Sequence, residues 1–278
     1  MLKTFLYLAL IGLTFQSCKK DKNKPDPQKE RNNALIELVP PVLVPNFKSV
    51  NGAIPAYYIG LPSKYDSTSK NYPILISLHG AGTFGNGGSE LQNILVDGIP
   101  RVMQEGRFPA SFTVDGQNFS FIILAPQLSR HPATVEIDEL ITFAKKNYRV
   151  DPKRVYLNGL SLGSTVLWEM VADNSSQVTA IVPISGIPKE ADNAKAQKVA
   201  LAKIPTWSFQ NEDDNIVNSQ GVKDFITRIN SFQPAIPPRF TLFPANGQLH
   251  NAWSKATDAN YKENNVNIYE WMLQFKKP

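Results

Sequence analysis

The chain has 278 residues, of which 42% are hydrophobic, and a formal net charge of +5 from 29 lysines and arginines against 24 acidic residues. Its only cysteine, Cys18, excludes an intramolecular disulfide. Lys3 and residues 18–33 hold seven of the 29 cations and three of the 24 acids, which leaves 22 against 21 in residues 34–278 and excludes the concentrated basic footprint that a nucleic-acid binder carries on its folded part.

Residues 1–17 carry one early cation, Lys3, and an apolar run from Phe5 to Phe15. That run is shorter than the roughly 20 residues a membrane-spanning helix needs, and it reads as a secretory signal. It ends at Ser17-Cys18. The boundary resembles bacterial lipoprotein signals, which implies that Cys18 is acylated as the first mature residue and that the protein is exported and held on a bacterial membrane, on its periplasmic or outer face. The other reading is an ordinary signal followed by an incidental cysteine. Residues 18–33 are lysine-, asparagine- and proline-rich, cannot bury a core, and are expected to form a flexible tether.

Residues 34–278 fit one domain of the α/β type. In chain order, short apolar runs predict strands at 54–59, 73–78, 119–125, 154–157, 180–184, 206–209 and 240–243. Apolar residues at helical spacing predict helices over 135–144, 165–172 and from 222 onward. Continuous apolar strands alternating with helices imply a mainly parallel central sheet covered on both faces, with the ligand site beyond the carboxyl ends of its strands.

One of those ends carries Gly159-Leu160-Ser161-Leu162-Gly163, between the expected strand Val155-Tyr156-Leu157 and the helical stretch from Thr165. Strand, Gly-x-Ser-x-Gly and helix together resemble the nucleophile elbow of α/β-hydrolases. The glycines permit a sharp turn that exposes the Ser161 hydroxyl, and the helix start beyond offers free N–H groups to a developing anion. A serine hydroxyl needs a base, and the base needs an orienting third group. His79 lies in His79-Gly80-Ala81-Gly82, a loop suited to presenting backbone N–H groups, and His131, in Ser129-Arg130-His131-Pro132, is expected to be an exposed loop residue. His250 follows the last strand, and the order serine, acid, histidine of the elbow-bearing fold selects it. The acid then falls among Glu212, Asp213 and Asp214, directly after the strand at 206–209. Two oxyanion donors are expected, the N–H of Leu162 and that of Ala81, with Gly82 next in line.

From about Tyr72 to Phe275 the chain resembles bacterial esterases grouped with polyhydroxybutyrate depolymerases, feruloyl esterases and the "predicted peptidases" of the α/β-hydrolase superfamily. The residues that carry the resemblance are Leu78-His79-Gly80-Ala81-Gly82, Leu124-Ala125-Pro126-Gln127, the run from Val150-Asp151-Pro152-Lys153-Arg154 through the elbow, Trp168, Asn211-Glu212-Asp213-Asp214 and His250-Asn251-Ala252-Trp253. The resemblance selects Asp214 as the acid, four residues after Gln210 and just before the apolar pair Ile216-Val217. Asp213 is then expected to serve the amides of its own turn. The chain departs from the family at Gln210-Asn211, where His-Gly is usual, at Ser164, a common glycine, and at Thr83-Phe84-Gly85, where Glu-Arg-Gly is usual. These altered residues are expected to line the cleft.

The resemblance implies a serine hydrolase of carboxylesterase type acting through an acyl-enzyme at Ser161, on small-molecule or polysaccharide-borne esters such as acyl or feruloyl groups. No cofactor or metal is expected, since three scattered histidines and one cysteine make no ligand set. The stretch between Ile184 and Ile204 is only about a helix long, too short for a large lid. Two other readings are a serine peptidase of the same fold and a catalytically idle binding lipoprotein.

Overall fold

The computed structural model describes residues 36–173 and 175–278. The expected signal segment, Cys18 and the tether at 18–33 lie outside the described residues. The strands are β1 (Leu43–Asn46), β2 (Ala56–Gly60), β3 (Tyr72–Leu78), β4 (Phe112–Val114), β5 (Gln117–Phe119), β6 (Ile122–Gln127), β7 (Val150–Leu160), β8 (Ala180–Ile184), β9 (Trp207–Asn211) and β10 (Arg239–Phe243). The α-helices are α1 (Gly98–Gln104), α2 (Thr134–Asn147), α3 (Leu162–Ala172), α4 (Asn193–Ala202), α5 (Ser219–Ser231), α6 (Trp253–Ala256) and α7 (Ile268–Leu273).

Eight strands form one sheet in the order β1-β2-β6-β3-β7-β8-β9-β10, and β4 and β5 form a separate hairpin. From β6 to β10 every pairing is parallel, while β1 and β2 add antiparallel at one edge. The parallel strands are apolar on both faces, as a sheet covered twice requires. Successive side chains point to opposite sides. Ile74, Ile76 and Leu78 pack with Ile137 and Leu140 of α2, Val166 and Leu167 of α3, Val199 of α4 and Phe225 of α5. Leu75, Tyr156 and Val182 pack on the other side with Ile99 of α1, Tyr269 and Met272 of α7, and Phe112 of the hairpin.

Several element ends have local causes beyond hydrophobic spacing. Helix α2 begins where the Glu136 carboxylate accepts the Ala133 N–H at 2.9 Å, and α5 where the Asn218 side chain accepts the N–H groups of Gln220 and Gly221. The run expected as one strand from Phe119 to Ala125 divides in two. Phe119 ends the hairpin, the Ser120 hydroxyl donates to the Ala110 carbonyl (2.7 Å), and the sheet strand starts at Ile122. The hairpin turns at Asp115-Gly116, both with positive φ (49° and 71°), a turn that Asp-Gly adopts readily.

Candidate active site

At the carboxyl edge of the sheet, β7 turns into α3 through Ser161, whose φ of 53° and ψ of −116° lie in a strained region for a non-glycine residue. Hydrogen bonds on both sides hold the turn, since Ser161 N–H donates to the Ile184 carbonyl (2.9 Å) and Thr165 N–H donates to the Ser161 carbonyl (3.1 Å). The flanking glycines are needed for space. A Cβ on Gly159 would lie 2.4 Å from the Gly163 carbonyl, and one on Gly163 would lie 2.4 Å from the Leu78 carbonyl oxygen. Ser164 is fully buried behind the elbow, where its hydroxyl donates to the Gly186 carbonyl (3.2 Å), the same oxygen that accepts Trp168 Nε1–H (3.1 Å).

Ser161, His250 and Asp214 stand in one hydrogen-bonded line. Ser161 Oγ lies 2.9 Å from His250 Nε2, and His250 Nδ1 lies 2.8 Å from Asp214 Oδ2 and 3.0 Å from Oδ1. This arrangement takes the tautomer in which Nδ1–H donates to the carboxylate and Nε2 accepts the serine hydroxyl. The Asp214 side chain is wholly buried. Its oxygens also accept the N–H groups of Ile216 (2.9 Å) and Val217 (2.8 Å) and the Nε2–H of Gln210 (2.9 Å). A buried carboxylate with this many donors has its polar atoms satisfied and is fixed in place.

The neighbouring acids do different work. Glu212 is exposed. Asp213 does not serve its own turn, contrary to expectation. Its Oδ2 accepts the N–H groups of Asn246 (3.1 Å) and Gly247 (2.7 Å), in the loop that leads to His250. Asp214, not Asp213, takes the amides of the acid turn, because its carboxylate faces inward where Ile216 and Val217 present theirs. Asn211 adds a second clamp, its Nδ2–H donating to the carbonyl of Leu249 (2.8 Å), a residue with φ of 49° beside His250. The acid turn therefore holds both the carboxylate and the loop that presents the imidazole.

Across the cleft, the loop after β3 is pinned by His79. This histidine is buried, Leu128 N–H donates to its Nε2 (2.8 Å), and its Nδ1 lies 2.6 Å from the Gly80 carbonyl and 2.7 Å from Thr83 Oγ1. Burial pushes the imidazole down to about 4, so it is neutral at neutral pH. Gln127, also buried, accepts the Gly87 N–H and donates to the Glu90 carbonyl, fixing the segment that follows. Gly80 runs so close to the elbow that a Cβ there would lie 3.3 Å from the Ser161 Cβ. Ala81 opens a short 3-10 turn (Ala81–Thr83) and Leu162 opens α3, so both N–H groups belong to first turns without internal acceptors.

Ser161 and His250 open onto a cleft of about 270 Å³, lined also by Ala81, Thr83, Leu160 and Trp253. Trp253 stands edge-on to the His250 ring at 5.2 Å between centroids and donates its Nε1–H to Asp97 Oδ1 (2.9 Å). Of the residues at which the chain departs from the resemblance, Thr83 lines this cleft, whereas Ser164, Gln210 and Asn211 are buried supports beneath it. His131 is half-buried instead of exposed, 3.7 Å from Glu169 and away from the cleft. Among the described residues, no group of three or more His, Cys, Asp or Glu could hold a metal ion. The supporting roles of His79, Gln210, Asn211 and Asp213 and the position of Asp97 escape sequence reading. Only His79-Gly and Asn211-Glu-Asp-Asp left a signal, as motif neighbours.

No protein-family model matches the chain. A bifunctional acetylxylan esterase/xylanase of Neocallimastix patriciarum is 24% identical over 238 residues, 81% of this chain, and the chain spans 29% of that protein. Among solved structures, a thermostable esterase superposes with a TM-score of 0.57 at 19% identity, covering 85% of this chain and 63% of that one. A feruloyl esterase module from Clostridium thermocellum, in complex with sinapinate, superposes with a TM-score of 0.55 at 17% identity, covering 85% of this chain and 90% of that one. These likenesses join the sheet order and the strand-elbow-helix turn on one conclusion: the chain has the α/β-hydrolase fold.

Proposed function

We propose that the protein is a serine esterase in which Ser161 is the nucleophile, His250 the general base and acid, and Asp214 the group that orients and stabilises the imidazolium. The observation that carries this reading is the hydrogen-bonded line from Ser161 Oγ through His250 to Asp214, set on a strained turn at the mouth of a cleft. As Oγ attacks the acyl carbon, its proton passes to His250 Nε2. Charge gathers on the carbonyl oxygen, where the N–H groups of Leu162 and Ala81 receive it. His250 then gives the proton to the departing alcohol, and water repeats the cycle on the acyl-enzyme. Because the loops are pinned by His79, Gln127, Asn211 and Asp213, the donors need little reorganisation during the reaction.

The substrate class we infer is an acyl or hydroxycinnamoyl ester carried by a polysaccharide. Its support is the likeness to an acetylxylan esterase/xylanase and to a feruloyl esterase module, together with the short β8–β9 connection, which holds α4 and no larger insertion over the cleft. Export and acylation at Cys18 complete the reading, on the strength of Lys3, the apolar run from Phe5 and the Ser17-Cys18 boundary. No helix among the described residues is long and apolar enough to cross a membrane.

The test is a panel of p-nitrophenyl acyl esters, acetylated and feruloylated xylo-oligosaccharides and aminoacyl anilides, assayed with the purified protein. Ester turnover well above anilide turnover is expected. Hydrolysis of anilides alone would replace the esterase with a peptidase, and no turnover of any member would leave the idle binding protein.

A further inference from the structure

Asp97 sits at the position that starts α1, where an aspartate ordinarily turns its carboxylate back to cap the helix. It does not cap: its backbone carbonyl accepts the Arg101 N–H (3.4 Å), but its side chain makes no cap hydrogen bond. The residue instead lines the cleft that holds Ser161 and His250, its carboxylate bonded to another lining residue, Trp253. The backbone is shaped to bring it there. Gly98 has φ of 59°, and a Cβ on it would lie 2.8 Å from the Leu160 side chain, so the turn after Asp97 is pressed against the residue before the nucleophile.

One carboxylate oxygen is committed, since Oδ1 accepts Trp253 Nε1–H at 2.9 Å. Among the described residues, Asp97 has no lysine or arginine within salt-bridge distance, Arg101 acting on it only at longer range, and no donor bonds its Oδ2. It is also the one carboxylate among the residues that line the cleft. The other acid of the site, Asp214, is sealed behind His250, which it partners. Substrate therefore meets a fixed negative charge with a free acceptor oxygen, braced by an indole.

We propose that Asp97 forms a substrate subsite that accepts a hydrogen bond from a hydroxyl or ammonium group on the ester and excludes esters whose seated half carries a carboxylate. The proposal rests on the esterase reading and adds the chemical class that the cleft selects. Like charges repel more strongly at the reduced effective dielectric near a protein surface than in bulk water, so charge can govern selection here.

Competing p-nitrophenyl esters test it on the full-length protein, with kcat/KM for the butyryl ester set against the hemisuccinate, of similar length but charged. A second series varies the alcohol, comparing a neutral hydroxyalkyl acetate with its carboxylate and ammonium counterparts. The wild type is expected to disfavour the carboxylate member of at least one series by tenfold or more, and added salt should shrink the ratio. Asp97→Asn keeps an acceptor for Trp253 Nε1–H and removes the charge, so it should bring that ratio to within about threefold of unity. The readout is a ratio, which a general loss of folding or turnover does not move. A wild-type ratio near unity in both series, or one unchanged by Asp97→Asn and by salt, would overturn the subsite. Failure to hydrolyse even the butyryl ester would instead strike at the esterase reading itself.

Discussion

At the residue scale, the three adjacent acids after β9 carry separable tasks. Asp214 is buried with both oxygens engaged, and it alone bonds His250. Asp214→Asn should lower turnover by about 10⁴, as in a Ser-His-Asp triad whose acid is neutralised and whose histidine takes the wrong tautomer. Asp213→Asn retains an acceptor for the amides of Asn246 and Gly247, and its effect should stay within about tenfold, roughly 1.4 kcal/mol in the barrier. Steady-state kinetics of the two variants decide the ranking, and the reverse order would move the acid one residue back. The register of Asp214 was legible because a resemblance fixed its distance from Gln210. The clamp made by Asp213 was not, because its partners lie more than thirty residues away in the chain and only folding brings them to it.

At the scale of elements, the elbow depends on backbone approach closer than any side chain allows. Gly163→Ala would set a Cβ 2.4 Å from the Leu78 carbonyl oxygen, forcing α3 off the end of β3. The expected cost is about 3 kcal/mol or more, at or above the upper part of the usual range for overpacking, because backbone and not a mobile side chain must give way. Urea denaturation against wild type measures it, and a loss under 1 kcal/mol would contradict the packing account. The parallel strands and the long helices were readable from apolar runs and helical spacing, since burial on both faces leaves an unbroken signal. Edge strand β1 was not. Its four residues include Pro45, and Val44 is exposed, so neither alternation nor an apolar run marks it. The Asp-Pro-x-Arg run within the first half of β7 also has a structural purpose that the motif conceals. The Arg154 guanidinium donates to the Leu273 carbonyl (2.7 Å) and lies over the Phe119 ring at 4.6 Å, tying the C-terminal segment to the sheet.

At the scale of the molecule, His79 links the site loop to overall stability. Burial holds its imidazole near 4, against 6.5 for the free side chain. The folded state therefore favours the neutral form. The stabilisation is complete above pH 6.5 and is lost as pH falls from there toward 4, because the unfolded chain binds the proton first. Between pH 7.5 and pH 4.5 this group should remove on the order of 2 kcal/mol, and His79→Asn should lack that part of the acid leg in denaturant titrations. Parallel acid legs in the two proteins would contradict it. Location is tested separately: the wild type should enter the detergent phase on Triton X-114 partition, and Cys18→Ser should stay aqueous or stall in processing. A wild type found in the aqueous phase with a free Cys18 thiol would overturn the anchor.

The central claim is that Ser161 is the nucleophile. The most direct measurement is labelling with a fluorophosphonate followed by mass spectrometry of the modified peptide, with ester hydrolysis followed in parallel. The account predicts one adduct, on Ser161, loss of activity in step with labelling, and a Ser161→Ala variant that neither labels nor turns over while melting within a few degrees of wild type, since its half-buried hydroxyl lines the cleft and fills no core space. Activity that survives in Ser161→Ala, or an adduct on another serine that tracks the loss of activity, would contradict it.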